Sequence, residues 1–155
     1  MQAKSIVYLD ESGFAKSMPR THGYCIKGKR CYGIHDWHAR GRLNAIGAII
    51  GLSFVTVSLI DGSVNADVFY AWITQDLLPK LPPKSVIVMD NASFHKRNDI
   101  LESIVANKCT VEFLPPYSPD LNPIERKWAQ AKSRRKKYRC DIDTLFSEHT
   151  EYDNL

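Results

Sequence analysis

The chain has 155 residues, 44% of them hydrophobic, and a formal net charge of +4. That suits one globular domain over residues 1–155 with a sizeable core. No run approaches ~18 apolar residues and no basic-then-apolar leader opens the chain, so neither a membrane span nor a secretion signal is expected.

The first strand is read over residues 5–9, with Asp10-Glu11-Ser12-Gly13 as its exit. A Gly-rich polar stretch over 20–33 follows, in which Tyr24, Cys25 and Ile26 suggest a short hairpin. Two β-rich runs, 41–51 and 52–60, come next and stop at the Asp61-Gly62 turn pair. A helix is expected over 65–78. Asn65 is its N-cap, Phe69, Trp72, Ile73 and Leu77 recur at helical spacing as a core stripe, and prolines close it. Residues 85–89 form a short apolar strand ending at Asp90, too short for a helix. Ile100, Leu101, Ile104 and Val105 mark a second amphipathic helix. Residues 110–114 read as a strand, 115–122 as a turn-rich connector, and 123–138 as the last strong helix. The tail from Asp141 carries a weak helical signal. Three strands, then helix, strand, helix, strand, helix, imply a mixed five-stranded sheet with helices on its faces, an α/β fold.

Basic charge is concentrated. Eight of the 21 Lys and Arg residues fall between Arg126 and Arg139 without one acid, leaving 13 against 17 acids elsewhere. Such a block attracts phosphate with little sequence selectivity, although a solvated helix face has the same composition. The four cysteines, Cys25, Cys31, Cys109 and Cys140, follow no tight disulfide or CxxC pattern, which suggests a reduced, cytoplasmic protein. Cys25, Cys31, His35 and His38 are separated by five, three and two residues, which is not a zinc-finger spacing.

Asp10 and Asp90 end predicted strands, and Glu125 opens a predicted helix. Acids at the carboxyl ends of adjacent strands meet at one sheet edge, where open α/β folds hold ligands. Three carboxylates on separate elements are the parts of a Mg²⁺ site, and two such ions about 4 Å apart serve phosphoryl transfer. The residues thus point to a metal-dependent nuclease core. Each acid has a structural alternative as well. Asp10 and Asp90 suit strand-end turns, and Glu125 closes an N-x-x-E capping box with Asn122 as N-cap and Pro123 at the first helical position.

The blocks YLDESGF, VIVMDNASFHK and LPPYSPDLNPIERKW resemble the three catalytic blocks of mariner-type DDE transposases, in the bacterial insertion-sequence branch. Thirty-four residues separate Asp90 from Glu125, a separation that superfamily uses. The resemblance runs from about residue 6 to about residue 138 and implies a ribonuclease H-like fold. It also implies that Asp10, Asp90 and Glu125 form the metal-binding catalytic triad for Mg²⁺ or Mn²⁺, with two ions. The implied reaction is strand cleavage at transposon ends, then attack of the freed 3′-hydroxyl on target DNA. A homodimer and a nucleoid-associated, cytoplasmic location follow from the same resemblance.

Asn91 and His95 belong to the second block and are candidates for site support. Tyr117, Ser118, Pro119, Asn122 and Pro123 shape a stiff connector that aims Glu125. Trp128 with Ala131 reads as core, and Arg126, Lys127, Lys132, Arg134 and Arg135 are candidate DNA phosphate contacts. No helix-turn-helix recognition region precedes Asp10, so a separate end-recognition polypeptide is expected. The alternative is a non-catalytic transposase relic that binds DNA or dimerises.

Overall fold

A computed structural model describes residues 4–15, 42–116 and 118–152. The hairpin expected around Tyr24, the grouping of Cys25, Cys31, His35 and His38, and Tyr117 lie outside the described residues. The sheet has five strands: β1 (Ile6–Ala15), β2 (Arg42–Ile50), β3 (Ser53–Asp61), β4 (Val86–Met89) and β5 (Thr110–Phe113). Their order is β3-β2-β1-β4-β5. The pairs β1–β2 and β2–β3 are antiparallel, while β4 is parallel to both β1 and β5. This is the mixed sheet expected from the alternation of elements in the second half of the chain. Gly51 takes a left-handed conformation (φ 63°) that lets the chain reverse tightly between β2 and β3.

Helices α1 (Ala66–Trp72), α2 (Asn98–Ala106), α3 (Ile124–Tyr138) and α4 (Ile142–Glu148) complete the described fold. Asn65 caps α1 as expected, its side chain accepting from the Val68 N–H at 2.9 Å. The helix then widens into a π-helical turn, Ile73–Leu77, and a 3₁₀ turn, Leu78–Lys80, before the prolines end it. The short α4 is real, capped by Asp141 accepting from the Thr144 N–H at 2.7 Å. No helix among the described residues is long and apolar enough to cross a membrane.

Side chains alternate across each strand, so one sheet packs two cores. Val7 and Leu9 of β1 join Phe69, Trp72, Ile73, Leu77, Ile100 and Ile104 on the α1/α2 side. Phe14 joins Phe54, Ile124, Trp128, Ala131, Leu145 and Phe146 on the α3/α4 side, with Tyr8 packed against them. Trp128 meets Phe14 and Phe54 with ring centroids 6.2 and 5.2 Å apart. The aromatic stripe of α1 and the Trp128 face of α3 are therefore core, as their periodicity indicated.

One boundary differs from expectation. Strand β1 does not stop at Asp10 but continues through Glu11, Ser12 and Gly13 to Ala15, paired with β2 down to Ala15↔Arg42. A D-E-S-G run reads locally as a turn, but nine-residue pairing with β2 overrides that preference. Asp10 thus sits in mid-strand opposite Gly47, and the alternation sends Asp10 and Glu11 to opposite faces.

Candidate active site

The parallel pairing of β1 with β4 runs Ile6↔Val86, Val7↔Ile87, Tyr8↔Val88. Two residues further along that register lie Asp10 on β1 and Asp90, just past the end of β4. The third acid comes from above the sheet. Asn122, buried at the mouth of α3, donates from Nδ2 to the Leu9 carbonyl at 3.4 Å. Its Oδ1 accepts from the Ile124 N–H at 3.2 Å. One side chain therefore ties the entry to α3, just before its N-cap Pro123, to β1 beside Asp10. The helix begins at Ile124, one residue later than the sequence suggested. The N-cap is Pro123, not Asn122, and carries no side-chain cap bond, so the N-x-x-E capping box does not form and the Glu125 side chain is engaged with Asp10.

Asp10, Asp90 and Glu125 line a single cleft of about 420 Å³ together with Asn91, Ala92, Asn122, Ser118 and the Leu114–Pro116 connector. Burial and the hydrogen bond with Glu125 push the Asp10 carboxyl up to about 9. Asp10 thus keeps its proton at neutral pH, chiefly because burial disfavours its charged form. A larger cavity, about 900 Å³, lies away from these acids, beside β3 and Pro79–Pro82. It contains none of the chemistry.

The second block supplies an unexpected arrangement. His95 is fully buried against Phe69, ring centroids 4.4 Å apart. Its Nδ1 donates to Asp90 Oδ1 at 2.8 Å and its Nε2 to Glu11 Oε1 at 2.9 Å. Burial works against its charge, but hydrogen bonds to Asp90 and Glu11 overcome that and raise its pKa to about 9. The same contact with His95 holds the Asp90 carboxyl below the usual carboxylate range. Ala92 N–H adds a contact to Asp90 Oδ1 at 3.3 Å.

Glu11 is the residue that sequence reasoning missed. Ligand oxygens of Asp10, Glu11 and Asp90 all lie within 4.8 Å of one another. That proximity nominates Glu11 for a metal site in place of Glu125, whereas the cleft contains Glu125 and not Glu11. The cleft is the better guide, because ligands must reach the oxygens and Glu11 spends Oε1 on His95. The adjacent acids Asp10-Glu11 and a histidine in the second block were the available signal. Only the burial of His95 over the far face of β1 connects them.

The basic block divides. Arg126, Lys132 and Arg134 are exposed and Lys127 partly so. Lys127 and Lys132 rest their ammonium groups 6.0 and 5.2 Å from the Phe54 and Phe14 ring centres. Arg134 donates to the His149 carbonyl at 3.0 Å. Arg135 corrects the expectation of a phosphate contact. It is 5% exposed and donates to the backbone carbonyls of Ala15 and Cys140, the latter at 3.3 Å. It falls on the Ile124–Trp128–Ala131 face of α3, which is turned inward.

A sequence profile described as DDE superfamily endonuclease matches residues 5–145. A search of curated proteins finds no match. Among solved structures, the Mos1 transposase paired-end complex with left transposon end aligns with TM-score 0.63 at 19% identity, over 84% of this chain and 41% of that one. The catalytic domain of Mos1 mariner transposase aligns with TM-score 0.53 at 14% identity, over 97% and 63%. The simian T-cell lymphotropic virus intasome aligns with TM-score 0.62 at 15% identity, over 92% and 45%. The chain thus spans about two fifths of the longer Mos1 polypeptide, and these likenesses establish a shared ribonuclease H-like fold.

Proposed function

The chain belongs to the DDE superfamily endonucleases, and from that premise we propose that Asp10, Asp90 and Glu125 are the metal-binding catalytic residues of a transposase. The observation that carries the reading is their convergence, from β1, the end of β4 and the start of α3, on one cleft. The donor set fits Mg²⁺ or Mn²⁺, which take carboxylate oxygens and leave positions for phosphate. The raised pKa of Asp10, buried beside Glu125, marks a place where a divalent ion would stabilise the ionised carboxylate. Mos1 structures solved with Mn and with Mg agree with that choice.

When bound, a pair of divalent ions would neutralise charge on the scissile phosphate and acidify the attacking hydroxyl group. Asp10, Asp90 and Glu125 would hold these ions through their carboxylate oxygens. Asp90 is fixed through Oδ1 by His95 and the Ala92 N–H, so its carboxylate meets the substrate already oriented. Glu125 enters from a helix anchored by Asn122. Asn91, exposed on the cleft wall, would support the site from there. Arg126, Lys127, Lys132 and Arg134 would carry the duplex along α3.

In this reading the substrates are transposon-end and target DNA. The reaction is hydrolysis of a strand followed by attack of the freed 3′-hydroxyl on target DNA. Residues 1–155 act as the catalytic unit, two copies working together on paired ends in the bacterial nucleoid. The test is calorimetric titration of Mn²⁺ into the chain and into Asp90→Asn, with and without a short duplex, followed by nicking assays. Carboxylate-dependent binding and Mn²⁺-dependent nicking, both lost in Asp90→Asn, are expected. Salt-sensitive DNA binding with no nicking in any metal would overturn the reading in favour of a non-catalytic relic.

A further inference from the structure

We propose that Glu11 is a positioning residue for Asp90, acting through His95 from the opposite face of the sheet. The inference rests on the metal-site reading above and deepens it. Asp10 and Glu11 are consecutive on β1, so they leave the strand on opposite sides. Asp10 enters the cleft with Glu125, and Glu11 lies on the side of Val7 and Leu9, where His95 packs on Phe69. The His95 ring is 0% exposed, the Glu11 side chain 19% and the Asp90 side chain 49%. The series runs from a buried anchor to a carboxylate open to the cleft.

The ring geometry leaves little freedom. Nε2 is bound to Glu11 Oε1 at 2.9 Å and Nδ1 to Asp90 Oδ1 at 2.8 Å, so rotating the imidazole breaks both contacts. His95 Nδ1 also lies 3.3 Å from the Asp90 carbonyl. The contacts holding the Asp90 carboxylate, from His95 and from the Ala92 N–H, converge on Oδ1, which directs the rest of the group at the cleft. Without an acceptor at Glu11, a buried ring N–H would lose its partner, and a buried unsatisfied donor is costly enough to move the ring. The carboxylate aimed by that ring would move with it. Because Glu11 does not line the cleft and its Oε1 is occupied, it works at one remove from the metal.

Glutamine and aspartate at this position separate the roles. Glu11→Gln keeps the reach and an acceptor oxygen but removes the charge, whereas Glu11→Asp keeps the charge and withdraws the acceptor by one methylene. For a positioning residue, Glu11→Gln should keep Mn²⁺ affinity within a few-fold, and Glu11→Asp should weaken it about 10–100-fold, the usual cost of removing a supporting partner behind a metal ligand. Calorimetry with Mn²⁺ gives the readout, with thermal melts in EDTA to confirm folding. His95→Ala should show the same loss, and adding Glu11→Asp to it should cost nothing more, since the path to Asp90 is already cut. Equal loss in Glu11→Gln and Glu11→Asp would make Glu11 a direct ligand and overturn the proposal. So would wild-type affinity in Glu11→Asp while Asp90→Asn binds nothing. Failure of the wild-type chain to bind Mn²⁺ with or without duplex would instead overturn the metal site itself, and the inference with it.

Discussion

Two groups at the site, one on each side of β1, hold their protons more tightly than usual. Asp10 and His95 both have pKa values raised to about 9 in the folded chain, from ordinary values of 3.8 and 6.5. In each case the native state holds a proton more tightly than the unfolded chain does. Their stabilising protonation is complete below pH 6.5 for His95 and is lost as pH rises through about 9. Asp10 acts in the same direction over a wider span, from 3.8 to about 9. The metal-free chain should therefore melt at progressively lower temperature between pH 6.5 and 9. Asp10→Asn, which fixes the neutral form, should reduce that slope, and Mn²⁺ should reverse it by giving the carboxylates a different counter-charge. Melts in EDTA and in Mn²⁺ across this range decide the matter. A flat profile in EDTA would mean that the protons are not held as described.

At the scale of elements, the distance between α3 and the sheet is set by a missing side chain. Gly47 is the β2 partner of Asp10, and a Cβ there would come 2.6 Å from the Trp128 indole edge. A side chain there would have to displace the Trp128 indole, and with it the face of the helix that carries Glu125. Gly47→Ala should destabilise the fold by about 1–3 kcal/mol, as overpacking does, and should weaken Mn²⁺ binding by separating Glu125 from Asp10. Trp128→Phe in the same chain should recover part of the metal affinity, because the smaller ring returns the space. Denaturant melts and calorimetry of the two single variants and the pair measure this coupling. Recovery of stability without recovery of affinity would show that the helix position does not govern the site.

Elements were the most legible scale in the sequence. The cap at Asn65 and the stripe through Phe69, Trp72, Ile73 and Leu77 follow from local chemistry and periodicity, and both are present. The continuation of β1 past Asp10 was hidden, because it depends on β2 pairing rather than on residues 10–13 themselves. The role of Gly47 was hidden for a similar reason: a glycine in a strand does not announce which aromatic residue will lie over it. Glu11 could not be read from one dimension at all. Its link to His95 spans 84 positions and passes to the opposite face of the strand from the acid beside it.

Across the whole molecule, the basic surface is smaller than the charge run suggests. The inward turn of Arg135 leaves Arg126, Lys127, Lys132 and Arg134 as the α3 cations nearest the cleft-bearing end. Replacing Lys127, Lys132 and Arg134 with Gln should weaken duplex binding at every sequence and lower the slope of log affinity against log salt by about one for each phosphate no longer neutralised. Arg135→Gln should instead lower the melting temperature, because its bonds to Ala15 and Cys140 are removed, and leave the salt slope unchanged. Filter binding at several salt concentrations beside thermal melts separates the two effects. An Arg135→Gln chain that melts normally but binds with a reduced slope would return Arg135 to the DNA surface.

The three acids of the cleft come from positions 10, 90 and 125, and the last is held by a helix whose inner face packs against α4 residues Leu145 and Phe146. During synthesis the first two acids emerge long before the third. A nascent chain still lacking α3 and its α4 support therefore has only two of the three acids of the cleft. On the proposed reading, competence to break DNA would come only after residues 124–148 have joined the sheet, which makes it a late event in the folding of this domain.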